Sequence, residues 1–216
     1  MFTVLCKELK EAFAPHGLLL TAAVGMGIPT IDKAYEISEI VKYLDFINLM
    51  SYDLHGSWEN FVGHNAPLYK RADEVDEQAE LNVDYAVRYW IENGAPPGML
   101  VLGLATYGRA FKLTSASKYL PGSAAGDKGI EGKWTREPGF LSYYEICEHI
   151  QKNGWKIKWD AEAMTPYAHK GKNWVGFDNE QSLEIKVNYA KEKGLGGIMF
   201  WVFDFDFRDF QLILFK

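Results

Sequence analysis

"LDFINLMSYDLHGSW", Leu44 to Trp58, begins as a buried strand and ends as something else. Ile47, Leu49 and Met50 suit a core, yet Tyr52, Asp53, His55 and Trp58 follow within a few residues. An apolar run that finishes in aromatic and hydrogen-bonding side chains is either a loop capping its own strand or a mouth that holds a ligand. Which one applies depends on what the rest of the chain places beside it.

Upstream, "LLLTAAVGM" (Leu18 to Met26) is a continuous apolar run of strand length, the pattern of a strand covered on both faces. Between it and the first stretch, Thr30 and Asp32 can cap a helix whose apolar face is Ile31, Ala34, Tyr35, Ile40, Val41 and Leu44. An earlier helix is expected over Leu5 to Phe13, stopped by Pro15 and Gly17. After a long polar stretch to about Gln78, a helix spans Asn82 to Asn93, and "MLVLGLATYG" (Met99 to Gly108) reads as a third buried strand. A helix over Gln181 to Lys193 and the strand "GGIMFWVFD" (Gly196 to Asp204) close the series. Strands alternating with helices make an α/β fold with a parallel sheet. The segment 109–175, rich in Gly, Trp and Tyr with one convincing helix near Leu141 to Lys152, breaks the rhythm and reads as an inserted α+β subdomain. The expected division is therefore 1–108, 109–175 and 176–216. Each clean strand ends in polar or aromatic residues, Tyr52–Asp53, Tyr107–Arg109 and Trp201–Asp204. In a parallel barrel such ends gather on the face where ligands bind.

Bulk properties narrow the partners. A net charge of −6 argues against nucleic acid and anionic membranes, which reward clustered Lys and Arg. No stretch approaches the roughly 20 apolar residues of a membrane span. Lys7, Glu8 and Lys10 stand where an export signal needs apolar residues, so no signal peptide is expected in this chain. There is no N-x-S/T sequon. Cys6 and Cys147 lie in no C-x-x-C pattern and read as free buried thiols, although sequence alone leaves their pairing open. The five His show no metal-ligand spacing, and "GSAAGDKGIEGKW" is no phosphate loop, so neither metal nor cofactor is expected. Seven Trp are more than packing usually needs.

"LLLTAAV", "LDFINLMSYDLHGSWE", "GHNAPLY", "LGLATYGRAF", "REPGFLSYYEIC", "WVGFDNEQS" and "KGLGGIMFWVFDFD" together resemble, in order and spacing, the second half of a family 18 glycoside hydrolase, in particular the animal chitinases and their non-catalytic chitinase-like relatives. The resemblance implies a partial (β/α)8 TIM barrel, strands five to eight, with an α+β insertion after the seventh. It also implies an extracellular full-length protein that binds chitin or N-acetylglucosamine oligomers. The family reaction is a retaining, substrate-assisted hydrolysis, outside the usual two-carboxylate scheme. Its acid ends a D-x-x-D-x-D-x-E strand that this chain lacks. The nearest imitation is "ADEVDEQ", where Asp73 and Asp76 have the spacing but Gln78 stands where the pattern needs its next acid. No catalytic residue is therefore assigned.

What the resemblance assigns is a sugar site. It gives Tyr52 the donor to an N-acetyl carbonyl, Asp53 an acceptor for sugar hydroxyls, and Met50 a place in the pocket lining. Tyr107 and Arg109 would reach into the groove, Trp201 would floor a subsite, and Trp58 would serve a neighbouring one. The residues by themselves allow plainer roles. Tyr52 can be a core ring whose hydroxyl finds a backbone acceptor, Arg109 a structural ion pair, Trp58 loop packing and Trp201 core. Asp204 and Asp206 read as mainly structural.

The chain departs from the family pattern at Ala105, at His169 and after Asp206, where "FRDFQLILFK" removes the expected partner of Cys147. It thus reads as half a barrel, a fragment of a secreted chitinase, with a non-catalytic chitin-binding remnant and a functionless relic as alternatives. Half a barrel would leave long apolar edges at Leu18–Met26 and Gly196–Asp204, and self-association through them is expected.

Overall fold

The computed structural model describes residues 1–206. The 207–216 stretch, where the sequence leaves the expected ending, lies outside the described residues.

Helix α1 (Phe2–Phe13) lays Phe2, Leu9 and Phe13 on the core and buries Cys6, whereas Leu5 is exposed. Gly17, at φ +64°, ends the turn that follows, and strand β1 (Thr21–Val24) begins soon after. The single helix expected next is two short ones, α2 (Ile28–Ala34) and α3 (Ile37–Ile40). Neither has a side-chain cap bond; α2 starts at Ile28 behind Gly27, with Pro29 in its first turn, instead of at a Thr30 cap. The break falls at Tyr35, whose backbone is extended. Its ring packs against Phe2 and Trp90 and its hydroxyl accepts the Gly25 N–H at 3.2 Å, contacts that outweigh helix continuity.

Strand β2 (Phe46–Leu49) is the core of the opening stretch. Helix α4 (Val83–Glu92) starts as expected at Asn82, whose side chain accepts the Tyr85 N–H. Strand β3 (Leu100–Ala105) follows. Here the expected third strand divides. After Thr106 the chain enters β4 (Tyr107–Leu113), which belongs to a different sheet, so Tyr107 and Arg109 open a strand and do not end one. That sheet adds β5 (Ala125–Lys128), β6 (Phe140–Ser142), β7 (Lys156–Asp160), β8 (Thr165–Lys170) and β9 (Asn173–Gly176). Its order is β5-β4-β9-β8-β7 with β6 also on β4, and every pairing is antiparallel. Helix α5 (Tyr143–Asn153) covers it through Ile146, held at its start by a Ser142–Glu145 capping box.

Helix α6 (Glu180–Glu192) and strand β10 (Gly197–Trp201) return the chain to the first sheet. That sheet is four-stranded and wholly parallel, in the order β1-β2-β3-β10. One face is the main core. Ile47, Leu49, Leu100, Leu102 and Leu104 are fully buried with Ile31, Ile40, Trp90 and Leu183. Each such aliphatic chain contributes about 1.5–3 kcal/mol by leaving water. The other face stays open: Phe46, Asn48, Val101 and Met199 line a groove along it. The sheet is an open α/β arc, not a closed barrel, and β1 and β10 are its edges.

Thr106 joins the two sheets and is fully buried. Its N–H donates to the Trp201 carbonyl and its own carbonyl accepts the Tyr143 N–H, both at 3.0 Å. Its hydroxyl bonds the backbone of Val202, accepting at 2.8 Å and donating at 2.6 Å. A cis peptide links Trp201 to Val202.

Candidate functional site

The ends of β2, β3 and β10 and the start of β4 lie side by side, because Leu49 pairs with Leu102 and Trp201 with Ala105. Past β2, the Ser51 hydroxyl donates to the Gly103 carbonyl at 2.8 Å, fixing where the next residues emerge. Gly103 must lack a side chain, since a Cβ there would sit 2.3 Å from the Leu49 carbonyl and 3.0 Å from the Tyr52 ring. Tyr52 is thereby laid over β3. It is only 7% exposed, packs edge-on to Tyr107 at 5.9 Å, and its hydroxyl has no hydrogen-bond partner among the described residues. Burial, followed by the neighbouring Asp53 charge, pushes its phenol up to about 12. Tyr52 is therefore a neutral donor at physiological pH.

Asp53 sits at φ +57°, a left-handed conformation that short polar side chains tolerate best. That turn directs its Oδ1 to two donors at once, the Tyr107 hydroxyl and the Arg109 Nε–H, each at 2.7 Å. Burial and then Asp53 keep the Tyr107 phenol fully protonated. Burial opposes charge on Arg109, but the Asp53 bond and charge, with Tyr107 and Glu137, together more than offset it and raise its pKa. Only Nε of the Arg109 guanidinium makes a hydrogen bond among the described residues; Nη1 lies 4.0 Å from Glu137. Trp58, Tyr107 and Phe140 surround the guanidinium with ring centroids at 5.5, 5.6 and 5.3 Å. Such contacts favour a desolvated cation and hold its plane.

Trp58 packs directly on Gly56, where a Cβ would come within 2.2 Å of the indole, and is 61% exposed. Trp201 is 54% exposed at the end of β10 and makes no ring contact among the described residues, so it is not core. Met50 is half-buried with Met199 and Phe205 around Tyr52, Ala66 and Tyr107. The structure thus gathers Tyr52, Asp53, Trp58, Tyr107 and Arg109 into one contact cluster bordered by Met50, while Trp201 stands apart at the rim. Asp206 is buried and partnered, whereas Asp204 is exposed.

Sequence reading missed two contributors. Phe140 stacks on Tyr107 at 4.7 Å and comes from β6, far along the chain. Asn65, inside the noted "GHNAPLY", accepts the Asp53 N–H on Oδ1 at 2.9 Å. Its signal was there, an Asn directly before the apolar Ala66, Pro67 and Leu68, but its partner could not be guessed. Carried through its register, the "ADEVDEQ" imitation ends at Glu80. That residue closes a 3-10 turn (Asp76–Glu80), not a strand, and accepts the Tyr85 hydroxyl. Cys6 and Cys147 are free; Cys6 is buried and Cys147 is half-buried. Burial raises both thiols.

Comparison with known proteins gives the chain a family. The profile described as "Glycosyl hydrolases family 18" matches residues 1–206. Human chitinase-3-like protein 2 is 44% identical over 95% of this chain and 54% of its own length. Mouse chitotriosidase-1 is also 44% identical, over 95% of this chain and 45% of its own. The chain spans about half the length of these curated relatives. Among solved structures, the Ostrinia furnacalis Group IV chitinase in complex with allosamidin superposes with a TM-score of 0.93 and 40% identity, covering 98% of this chain and 57% of that one. Human YKL-39, a pseudo-chitinase with retained chitooligosaccharide binding properties, superposes with a TM-score of 0.93 and 43% identity, over 98% and 60%.

Proposed function

The chain belongs to glycosyl hydrolase family 18, and we propose that the cluster at its strand ends is one wall of a groove for chitin or other N-acetylglucosamine oligomers. One observation carries this reading: a shared Asp53 oxygen holds Tyr107 and Arg109 while the neighbouring Tyr52 hydroxyl has no partner among the described residues. A phenol whose ring is packed while its hydroxyl keeps an unused, accessible donor suits a ligand carbonyl better than a core, because a hydroxyl buried for packing alone takes a protein acceptor. Trp58 and Trp201 offer flat apolar faces to pyranose rings, and Met50, half-buried beside Tyr52 and Tyr107, would line the pocket. The outer N–H groups of Arg109 supply fixed donors for sugar hydroxyls. The insertion, residues 109–175 in this reading, raises the wall that carries Arg109 and Phe140.

In a complete parent such a groove would serve retaining, substrate-assisted cleavage of β-1,4 bonds outside the cell. Cleavage needs an acid to protonate the leaving oxygen. In the present chain Asp53 is tied up by Tyr107 and Arg109, and Glu80 faces Tyr85. We therefore expect the 216-residue chain to bind without cleaving. The second reading, a non-catalytic chitinase-like lectin, is favoured by the likeness to a pseudo-chitinase that keeps oligosaccharide binding. Calorimetry with N-acetylglucosamine tetramer, beside a reducing-end assay on the same sample, tests the proposal. Saturable binding with no turnover is expected. Turnover above background would overturn the assignment as non-cleaving, and absence of binding would overturn the groove.

A further inference from the structure

Asn65 is 1% exposed, so it cannot touch a sugar, yet it is bonded to both halves of the site. Its Oδ1 accepts the Asp53 N–H at 2.9 Å and its carbonyl accepts the Leu54 N–H at 3.0 Å. One residue thus takes two consecutive amides of the left-handed turn that aims Asp53. Its Nδ2 donates to the Tyr107 carbonyl at 3.2 Å, reaching the first residue of the other sheet. The same side-chain amide therefore spans the end of β2 and the start of β4, the two places that supply Asp53 and its donors.

The loop carrying Asn65 is fastened on either side. His64 Nε2 lies 3.0 Å from the Asp160 carboxylate, at the end of β7. Lys186 of α6 donates to the Ala66 carbonyl at 2.7 Å from a fully buried position, while its other donors go to both oxygens of Asp178. Leu68 N–H donates to the Ala163 carbonyl and Val83 N–H to the Pro67 carbonyl, both at 2.9 Å. Buried polar groups from several elements converge on this short loop, and each would be costly to leave unpaired. A loop needed only to connect two elements would not require them.

We infer that Asn65 is the positioning residue for Asp53: it sets the turn at Asp53 and its register against Tyr107, and so the direction in which the carboxylate meets a ligand. This rests on the sugar-binding reading of the same cluster. It predicts energetic coupling, since Asn65 can influence the ligand only through Asp53 and its partners.

The test is a double-mutant cycle in the full chain, with N-acetylglucosamine tetramer affinity by calorimetry and thermal midpoint read on the same samples. Asn65→Ala is expected to weaken the tetramer about tenfold with Asp53 present and less than twofold in an Asp53→Ala background. The fall in midpoint should be similar in both backgrounds. An equal affinity loss in both would mean a merely structural role and overturns the inference, as does unchanged affinity in Asn65→Ala. If the alanine variant does not fold, Asn65→Gln keeps the amide but displaces it, and the same coupling is expected. Hydrogen exchange of the Asp53 and Leu54 amides in the unmutated protein needs no variant. Slow exchange at both is expected, and fast exchange in the folded chain overturns the inference by itself. Parent-like affinity in Asp53→Ala, by contrast, refutes the sugar-binding role of Asp53, which the exchange result does not address.

Discussion

The Tyr107 hydroxyl donates to Asp53 Oδ1 at 2.7 Å although the two residues are 54 positions apart. One lies past the end of a parallel strand and the other opens an antiparallel sheet. That bond, with the Arg109 Nε–H on the same oxygen, makes a single polar unit of side chains that are separate in sequence.

Arg109→Lys tests the unit. A lysine keeps the charge but loses the planar fork that rests among Trp58, Tyr107 and Phe140. Tetramer affinity should fall at least about tenfold, roughly the 1.4 kcal/mol expected of one charged hydrogen bond. Calorimetry showing parent affinity would rule out a ligand role for the guanidinium.

Two tryptophans should behave oppositely. Trp201→Ala removes an exposed ring and should leave urea stability within about 0.5 kcal/mol while abolishing measurable tetramer binding. Trp174→Ala empties a fully buried site against Phe111 and Tyr167 and should cost about 3–5 kcal/mol. Equal destabilisation by the two would mean that Trp201 is packed after all.

Lys186→Met should be severe for another reason. It leaves the buried Asp178 carboxylate with the Ser182 hydroxyl, 2.7 Å away, as its remaining side-chain donor among the described residues, at an expected cost of about 3–5 kcal/mol. Pairing it with Asp178→Leu removes the stranded charge and should recover most of the loss. Urea denaturation of both variants decides this; no recovery in the double variant contradicts it.

Acid should weaken the fold in a window set by His64. Its Nε2 faces the Asp160 carboxylate, which only accepts, so Nε2 carries the proton and the buried Nδ1 is bare. Burial outweighs the pull of Asp160 and lowers the His64 pKa from 6.5. The folded state thus prefers the neutral ring. Its stability is fully present above about pH 6.5 and declines as pH falls from there through the lower folded value. Burial would raise the Asp160 carboxyl, but His64, the Ala163 N–H and Arg71 together hold it well below 3.8, so its contribution is lost only in stronger acid. Thermal midpoints should drop between pH 6.5 and 5, and His64→Gln should flatten that slope, while identical slopes would exclude His64 as the source.

The open sheet should self-associate. Thr21 and Ala23 are exposed on the β1 edge and Ile198 and Trp201 on the β10 edge. Sedimentation velocity should show mass rising with concentration, and Ala23→Lys, which places charge on an edge, should shift it toward monomer. A concentration-independent monomer would disprove this.

Much of this architecture was legible in the chain. Continuous apolar runs announced the parallel strands, because a strand covered by helices has little polar alternation, and Asn82 announced the start of α4. Boundaries failed where tertiary contacts outvoted local preference. Tyr35 broke a helix to reach Phe2 and Trp90, and the run through Thr106 concealed a change of sheet that its hydrophobicity could not show. At the site, the aromatic and charged candidates were identifiable by type. The residues that aim them were not: Asn65 and Phe140 act through contacts with residues distant in sequence.

Thr106 carries a mechanical consequence. A single residue separates the last position of one sheet from the first of the other, and each of its hydrogen-bonding groups is committed. No slack chain remains there to act as a hinge. The ends of β3 and β10 and the start of β4 are therefore held as one piece at this junction, and the two sheets turn together there.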